Sequence, residues 1–407
     1  MRAGWFAAAA EDIDGSGVLR RYAAALGVLH ALTGVAWFTY KNVAALVTGE
    51  DAVCWPLAPG CEALREHLTP WLIRRIVAAY IGLGAGAALL FLWRRPHAAL
   101  GTFLAATALG IGIYALDYRM RFNPTYMFGC VVVAFLVSPR RRESVSALVV
   151  AFYFWAGILK LNREWLSGAA LYARPLFVPE ALVPASCAYV LVLELVMVWG
   201  LLSSRAWVRW AVLAQLALFH VASVSVVGWF YPLTMFGLLS LLFPVSEEHA
   251  RTAVTFSSLA SNASGARRSV LVTAGVFSAL QLVPWLHRGD PALTGEGRLF
   301  ALHMFDARVS CEGGAELDVA GQPPMPVVLL PPGESIRMRC DPLVIAANVR
   351  RTCREPWARA PGARLDVAVD AKRTTDASMR PLVRIADACH NLPTYTVLGE
   401  NPWIVAR

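Results

Sequence analysis

Long apolar stretches separated by short polar clusters organise most of this chain. Nine runs stand out, at approximately 22–40, 72–93, 98–116, 124–138, 144–164, 184–203, 207–227, 229–244 and 269–286. About 20 mostly apolar residues suffice for a helix to cross a bilayer. The pattern therefore predicts an all-α polytopic membrane domain over 22–287, with about nine transmembrane helices. The fourth and eighth runs are short and read equally as buried or partly spanning helices. Beyond 287 the periodicity changes. RLDVAV (364–369) alternates like a strand and PLVIAANVRRTC (342–353) has helical spacing. Together they predict a small α+β domain over 288–407. Asp341-Pro342 reads as an N-cap followed by proline at the first helical position. Residues 1–21 form an N-terminal segment, in which WFAAAA (5–10) is too short for a signal peptide and precedes acidic residues. No internal repeat is visible.

Composition agrees with a lipid-embedded chain. Of 407 residues, 57% are hydrophobic and 16% charged, with mean hydropathy +0.51; a soluble domain carries roughly 25% charged residues. Disorder, a coiled coil and an ordinary soluble enzyme are excluded. The net charge of +9 does not point to nucleic acid, because the basic residues sit in short clusters between apolar runs. Only Lys41, Lys160 and Lys372 are lysines among 37 basic residues. That preference indicates a GC-rich genome in which arginine is the default cation.

Arginines set the expected orientation, since cytoplasmic loops concentrate them. Arg20 and Arg21, Arg94 and Arg95, Arg140 to Arg142, Arg205 and Arg209, and Arg251, Arg267 and Arg268 all fall on one side of a nine-span chain. Arg119 and Arg121 fall on the other, partly offset by Asp117. The N-terminus is expected inside and the C-terminal domain outside. Cysteines agree with this. Cys54 and Cys61 lie in the first outer loop, and Cys311, Cys340, Cys353 and Cys389 in the C-terminal domain, where disulfides persist. Cys54–Cys61 is the simplest pair. The other four allow three pairings; Cys311–Cys340 and Cys353–Cys389 are favoured, because a helix from Asp341 holds Cys340 and Cys353 about 20 Å apart. Cys130 and Cys187 sit within spans as core residues. The sequon Asn262-Ala-Ser264 falls on the cytoplasmic side and is discounted.

Candidate chemistry begins with Lys160, near the outer end of span five. An ionisable residue in a span faces a cavity or a partner, and a desolvated lysine, unlike arginine, can act as a base. The bland alternative is a lysine whose ammonium reaches the interface. His220, near the outer end of span seven, is either a proton-exchanging group or a helix–helix hydrogen bond, with Ser223 and Ser225 serving either role. Glu194, mid-span six, is a partner for Lys160 or a serine, or else a packing residue. Asp117, Tyr118 and Arg119 read as an interfacial cluster. Trp155, Trp165, Trp229, Tyr231 and Trp285 fit an outer aromatic belt. A P-loop, GxGxxG, HExxH and paired CxxC are all missing from the sequence, so neither nucleotide nor metal chemistry is expected.

The run Ala156-Gly157-Ile158-Leu159-Lys160-Leu161-Asn162-Arg163-Glu164-Trp165-Leu166-Ser167-Gly168 resembles a motif of the vitamin K-dependent gamma-carboxylase and its bacterial relatives, the HTTM-domain proteins. Every defined position of the pattern Ala-Gly-x-x-Lys-Leu-Asp/Asn-x-Asp/Glu-Trp-Leu/Val-x-Gly agrees. Phe219-His220 followed by Gly228-Trp229-Phe230, and the Cys54–Pro56 loop, are also similar to family features, and the resemblance covers about 18–290. It implies a bacterial cytoplasmic-membrane enzyme in which Lys160 is the base on a reduced vitamin K-type quinone. Reaction with oxygen then gives a strong alkoxide base, a substrate carbon is deprotonated and carboxylated with carbon dioxide, and the quinone leaves as its epoxide. His220 is expected in the pocket, with Asn162, Trp165, Tyr126, Gly228, Phe230 and Glu194 around the quinone.

One position departs from the family pattern. Relatives carry Asn-His-x-Tyr at the start of span four, whereas this chain has Asn123-Pro124-Thr125-Tyr126. Proline can neither bond nor transfer a proton there. The alternative is an HTTM protein that binds a quinone or membrane lipid without carboxylation. The C-terminal domain is too short to hold a propeptide as the animal enzyme does, so the expected outer-side substrate is a small molecule or peptide rather than a protein glutamate. A transporter or channel is disfavoured by the lack of internal symmetry.

Overall fold

The structure is a computed structural model that describes residues 3–49, 53–57, 61–243, 254–257, 266–305, 307–319, 322–329, 336–359, 362–392 and 394–405. Arg251 and the sequon Asn262–Ser264 lie outside the described residues. Helices dominate up to residue 286, and each of the nine apolar runs coincides with one. Six helical stretches are long and apolar enough to cross a membrane: Gly17–Thr39, Pro70–Leu92, Pro96–Ala115, Arg141–Leu159, Glu180–Leu202 and Arg267–Leu286. Three shorter apolar helices accompany them, Asn123–Val137, Ala206–Ala222 and Phe230–Leu242. The protein is therefore a largely helical membrane protein with a small sheet domain at its C-terminus.

In chain order the α-helices used below are α1 (Ala3–Gly15), α2 (Gly17–Thr39), α3 (Pro70–Leu92), α4 (Pro96–Ala115), α5 (Asn123–Val137), α6 (Arg141–Leu159), α7 (Arg163–Ser167), α8 (Val183–Leu195), α9 (Ala206–Ala222), α10 (Phe230–Leu239), α11 (Ala266–Leu282) and α12 (Pro342–Thr352). Local sequence starts several of them. Ser16 accepts from the Leu19 N–H at the head of α2, and Thr69 accepts from Leu72 N–H with Pro70 next in line. Helices α2 and α3 pack backbone to backbone. A β-carbon on Gly27 would stand 2.8 Å from Ala88 N, and one on Gly84 would stand 2.7 Å from Ala31 N. Small residues give lipid-embedded helices their close approach in this way.

Val309–Asp318 (β1), Met325–Val327 (β2), Arg364–Arg373 (β3) and Arg380–Ile385 (β4) form an antiparallel sheet in the order β2-β1-β3-β4. RLDVAV opens β3, whose Leu365, Val367, Val369 and Ala371 are buried in one core with Ile345, Ala346 and Val349 of α12. Asp341 caps α12 through its carboxylate and the Leu343 N–H at 2.9 Å. The disulfides are Cys54–Cys61, Cys311–Cys340 and Cys353–Cys389, with Cα–Cα separations of 5.9, 5.6 and 5.2 Å. Cys130 and Cys187 are free.

The first loop, the α4–α5 loop and the sheet domain meet at one end of the bundle, called here the domain end. Tyr118 N–H donates to Val53 O at 2.8 Å, and Tyr118 O–H donates to Asp341 Oδ2 at 3.0 Å. Burial, and then the neighbouring Asp341 carboxylate, hold the Tyr118 phenol well above its usual pKa, so it stays a donor. Asp117, Tyr118 and Arg119 are all buried, and Asp117 takes two bonds from the Arg119 guanidinium and one from Val53 N–H. The expected interfacial cluster is thus an interior joint. The aromatic belt is corrected likewise: Trp165 and Tyr231 are buried in the bundle, and only Trp285 of the five is exposed.

Opening the short Cys54–Cys61 loop with Cys54→Ser should cost about 2–3 kcal/mol, the range for small closed loops. Denaturation in detergent measures it, and peptide mapping that finds both thiols free in the wild type contradicts it.

Candidate functional site

Helix α6 ends at Lys160, whose N–H bonds back to Gly157 O at 3.1 Å. Gly157 decides what stands beside it. A β-carbon there would meet Leu195 Cδ2 at 2.8 Å and Glu194 Cβ at 3.1 Å, so only glycine lets α8 lie this close. The approach brings Glu194 onto Lys160. Lys160 Nζ donates to Glu194 Oε1 at 2.7 Å and Oε2 at 2.6 Å, with both side chains essentially fully buried. Of the open readings, Lys160 faces a partner rather than the interface, and Glu194 is that partner. Neither charge would persist alone at such burial.

The residues after Lys160 build a tight corner. Asn162 Oδ1 accepts from Trp165 N–H at 2.8 Å and so caps α7, while its amide donates to Leu159 O and Phe305 O. Gly168, at φ 78°, ends α7 in the left-handed conformation that glycine tolerates. The corner swings Trp165 over the ammonium, with Nζ 5.1 Å from the ring centroid and the indole N–H donating to Cys187 O. Glu164 turns the other way and clamps the sheet domain, accepting from Arg308 N–H at 2.7 Å and Thr375 N–H at 3.1 Å.

Lys160 opens onto a cavity of about 170 Å³, walled by Trp165, Phe219, Ser223 and Tyr231 and closed by Met304 and Phe305 from the linker to the sheet domain. Glu194 is not among its lining residues and stands behind Lys160. His220 does not line it either. Its Nε2 bonds the Tyr153 hydroxyl at 2.6 Å, its ring lies 5.7 Å from that of Tyr231, and its Nδ1 has no hydrogen-bond partner among the described residues. Ser223 donates to the His220 carbonyl, and Ser225 donates to Arg174 O.

Lys160, Glu194, Asn162 and Trp165 are therefore gathered at one corner, with His220 in the layer behind Tyr231. Three other candidates lie apart. Tyr126 lines a second, larger cavity and donates to Phe300 O. Gly228, at φ 73°, sits where a β-carbon would collide with the Tyr40 hydroxyl, and that hydroxyl accepts from Trp229 N–H. Phe230 is buried against Trp229. Sequence reasoning passed over Tyr153, although it lies two turns before Lys160 on the same face of α6. It also passed over Met304 and Phe305, for which no local signal exists because they arrive from a distant linker. Comparisons of the chain with protein-family models, curated proteins and solved structures found no match.

Lys160→Met should lower stability by about 3–5 kcal/mol, because it leaves a buried carboxylate unpaired. Adding Glu194→Leu should restore most of the loss. Thermal denaturation in detergent tests this, and a double variant no more stable than the single one contradicts it.

Proposed function

We propose that the protein is a membrane enzyme of the vitamin K-dependent gamma-carboxylase type, in which the Lys160–Glu194 pair takes a proton from a reduced naphthoquinone held in the adjoining cavity. The observation that carries the reading is a buried, hydrogen-bonded amine set between an apolar cavity and a carboxylate. The cavity fits the ring system in character, since Trp165, Phe219, Tyr231 and Phe305 offer aromatic faces. At about 170 Å³ it is smaller than the roughly 300–1,000 Å³ of most small-molecule sites, so it suits a flat head rather than a whole isoprenoid quinone.

The chemistry of the residues follows from their order in space. At rest the pair is neutral overall, as burial demands. Lys160 lines the cavity, whereas Glu194, which accepts two hydrogen bonds from Nζ, does not. Passing one ammonium proton to Glu194 frees the amine to accept the proton of an aromatic alcohol. The pair then carries one positive charge beside the negative charge left in the cavity. Trp165 and the Met304–Phe305 linker keep bulk water from that charge. The bound quinone would supply, with oxygen, the strong base needed for carboxylation. A second reading, binding of a quinone or lipid without carboxylation, is favoured by Pro124, which begins α5 where a proton-transferring histidine is expected.

We infer nine crossings, with the arginine clusters in the cytoplasm and the domain end outside, in a bacterial cytoplasmic membrane. Joining of the first loop, the α4–α5 loop and the sheet domain at one end supports this, as do the disulfides gathered there. In intact cells, an impermeant maleimide applied after reduction should label Cys311 and Cys389 but not a cysteine introduced by Arg95→Cys. The reverse pattern contradicts the orientation.

Purified protein given a reduced vitamin K-type naphthoquinone, oxygen and carbon dioxide should form the quinone epoxide. Lys160→Ala should slow this by about 100- to 10,000-fold, the usual contribution of an acid–base group. Equal turnover in both removes Lys160 from the mechanism. Binding without turnover in the wild type selects the second reading.

A further inference from the structure

The lining of the Lys160 cavity extends from the interior of the bundle to its outer face. Lys160 is fully buried, whereas Tyr189 of α8 and Leu218 of α9 line the same cavity and are 46% and 64% exposed. Each belongs to an exposed stripe of its helix, with Val192 on α8 and with Trp207, Trp210 and Val221 on α9. Apolar stripes on the outside of a membrane bundle meet lipid. The cavity therefore opens sideways, between α8 and α9, onto the hydrocarbon of the bilayer.

Bonds between elements frame this opening. On the membrane side, the Tyr189 hydroxyl donates to Gln215 Oε1 across the two helices, and Gln215 Nε2 donates to Ala211 O at 3.1 Å. Both side chains line the cavity. Polar groups at a lipid face are costly unless paired, and pairing these two fixes the spacing of α8 and α9. On the side of the domain end, the 175–178 loop and the 226–227 turn supply lining residues. They are tied down too: Leu176 N–H donates to Ala222 O at 2.8 Å, and Ser225 donates to Arg174 O at 2.7 Å. Tyr189 lies about 9 Å from the start of α8 at 1.5 Å per residue, so the frame stands in the half of the membrane nearer the domain end. Toward the sheet domain the cavity is walled by the apolar Met304 and Phe305. The gap between α8 and α9 is thus its route to the outside, and that route leads to lipid.

We propose that the Lys160 cavity takes a membrane-resident amphiphile that enters between α8 and α9. Its aromatic head occupies the inner end, and its hydrocarbon chain lies in the gap between Leu218 and the Tyr189–Gln215 bar and ends in lipid. The volume argues for this division. About 170 Å³ accommodates a flat head and no long chain, so a chain must leave through the opening, where it stays among apolar groups throughout. For the identity of the head the proposal rests on the quinone reading of the site; the opening itself is read from the cavity and its frame.

The test uses the full chain in detergent under argon, so that binding is read without turnover. The probe is a reduced methyl-naphthoquinone whose prenyl chain ends in a diazirine, and the competitor is the same quinol without a chain. Photolabelling should map to the exposed stripes of α8 and α9, and excess chainless quinol should displace it. Leu218 is exposed, so Leu218→Trp narrows the opening without touching the core. It should weaken labelling by the chain-bearing probe about tenfold, as for roughly two methylenes kept out of the apolar gap, and the potency of the chainless competitor by no more than about twofold. Val192→Trp, exposed on α8 but outside the cavity lining, should change neither. Labelling that maps to other helices, that the chainless quinol does not displace, or that Leu218→Trp and Val192→Trp affect alike overturns the lateral site, whatever the epoxide assay shows. Labelling as expected with no epoxide formed under oxygen and carbon dioxide upholds the lateral site and overturns the carboxylase reading alone.

Discussion

A charge removed from water inside a helical bundle must find its opposite, and that requirement organises the domain end of this protein. Lys160 and Glu194 are essentially fully buried and joined by two hydrogen bonds of 2.6 and 2.7 Å. The pair exists because Gly157 lets α8 approach α6. Lys160 lines the neighbouring cavity and Glu194 does not. Several kcal/mol of desolvation per ion make such a pair a poor device for stability. Its position beside an apolar cavity is what the proposed chemistry rests on.

The sheet domain is part of that arrangement rather than an appendage. Glu164, one residue before the tryptophan that covers Lys160, holds Arg308 and Thr375 by their backbone N–H groups. Arg121 donates to Leu299 and Ala301 carbonyls, the Asn123 side chain bonds both His303 N–H and His303 O, and Gln281 accepts from Leu302 N–H. These bonds pin the 299–305 segment across the bundle and set Met304 and Phe305 as cavity walls. The Arg121 bonds are charge-assisted and worth about 1.5–3 kcal/mol each, and the neutral Asn123 and Gln281 bonds about 0.5–1.5 kcal/mol each, together enough to make the wall a fixed part of the site. Three disulfides near the same end stiffen what the hydrogen bonds position.

Much of this was legible along the chain, and the reasons are local. Apolar runs located the six long apolar helices and the three shorter ones found among the described residues, because a helix in lipid must be apolar over its length. The alternation in RLDVAV and the Asp341-Pro342 cap located β3 and α12, and the reach of that helix ruled out a Cys340–Cys353 bridge, leaving two pairings of which the favoured one is present. The site was legible only where chemistry and motif coincide: Lys160, Asn162 and Trp165 act within one turn, and Glu194 was weighed as a partner. What stayed hidden was long-range. Tyr126 and Gly228 lie elsewhere because their faces of α5 and of the α9–α10 turn point away from Lys160. Trp165 and Tyr231 look like belt residues in sequence, but the capped corner and the Tyr153–His220 layer draw them inside.

The central claim is that the buried pair, with Lys160 in front and Glu194 behind, accepts a proton from the occupant of the cavity. Infrared difference spectroscopy on adding a reduced naphthoquinone tests it most directly, with Glu194→Gln to assign the signal. The account predicts a new protonated-carboxyl band on loading that vanishes in Glu194→Gln. Saturating occupancy of the cavity with no change in the Glu194 carboxylate would contradict it.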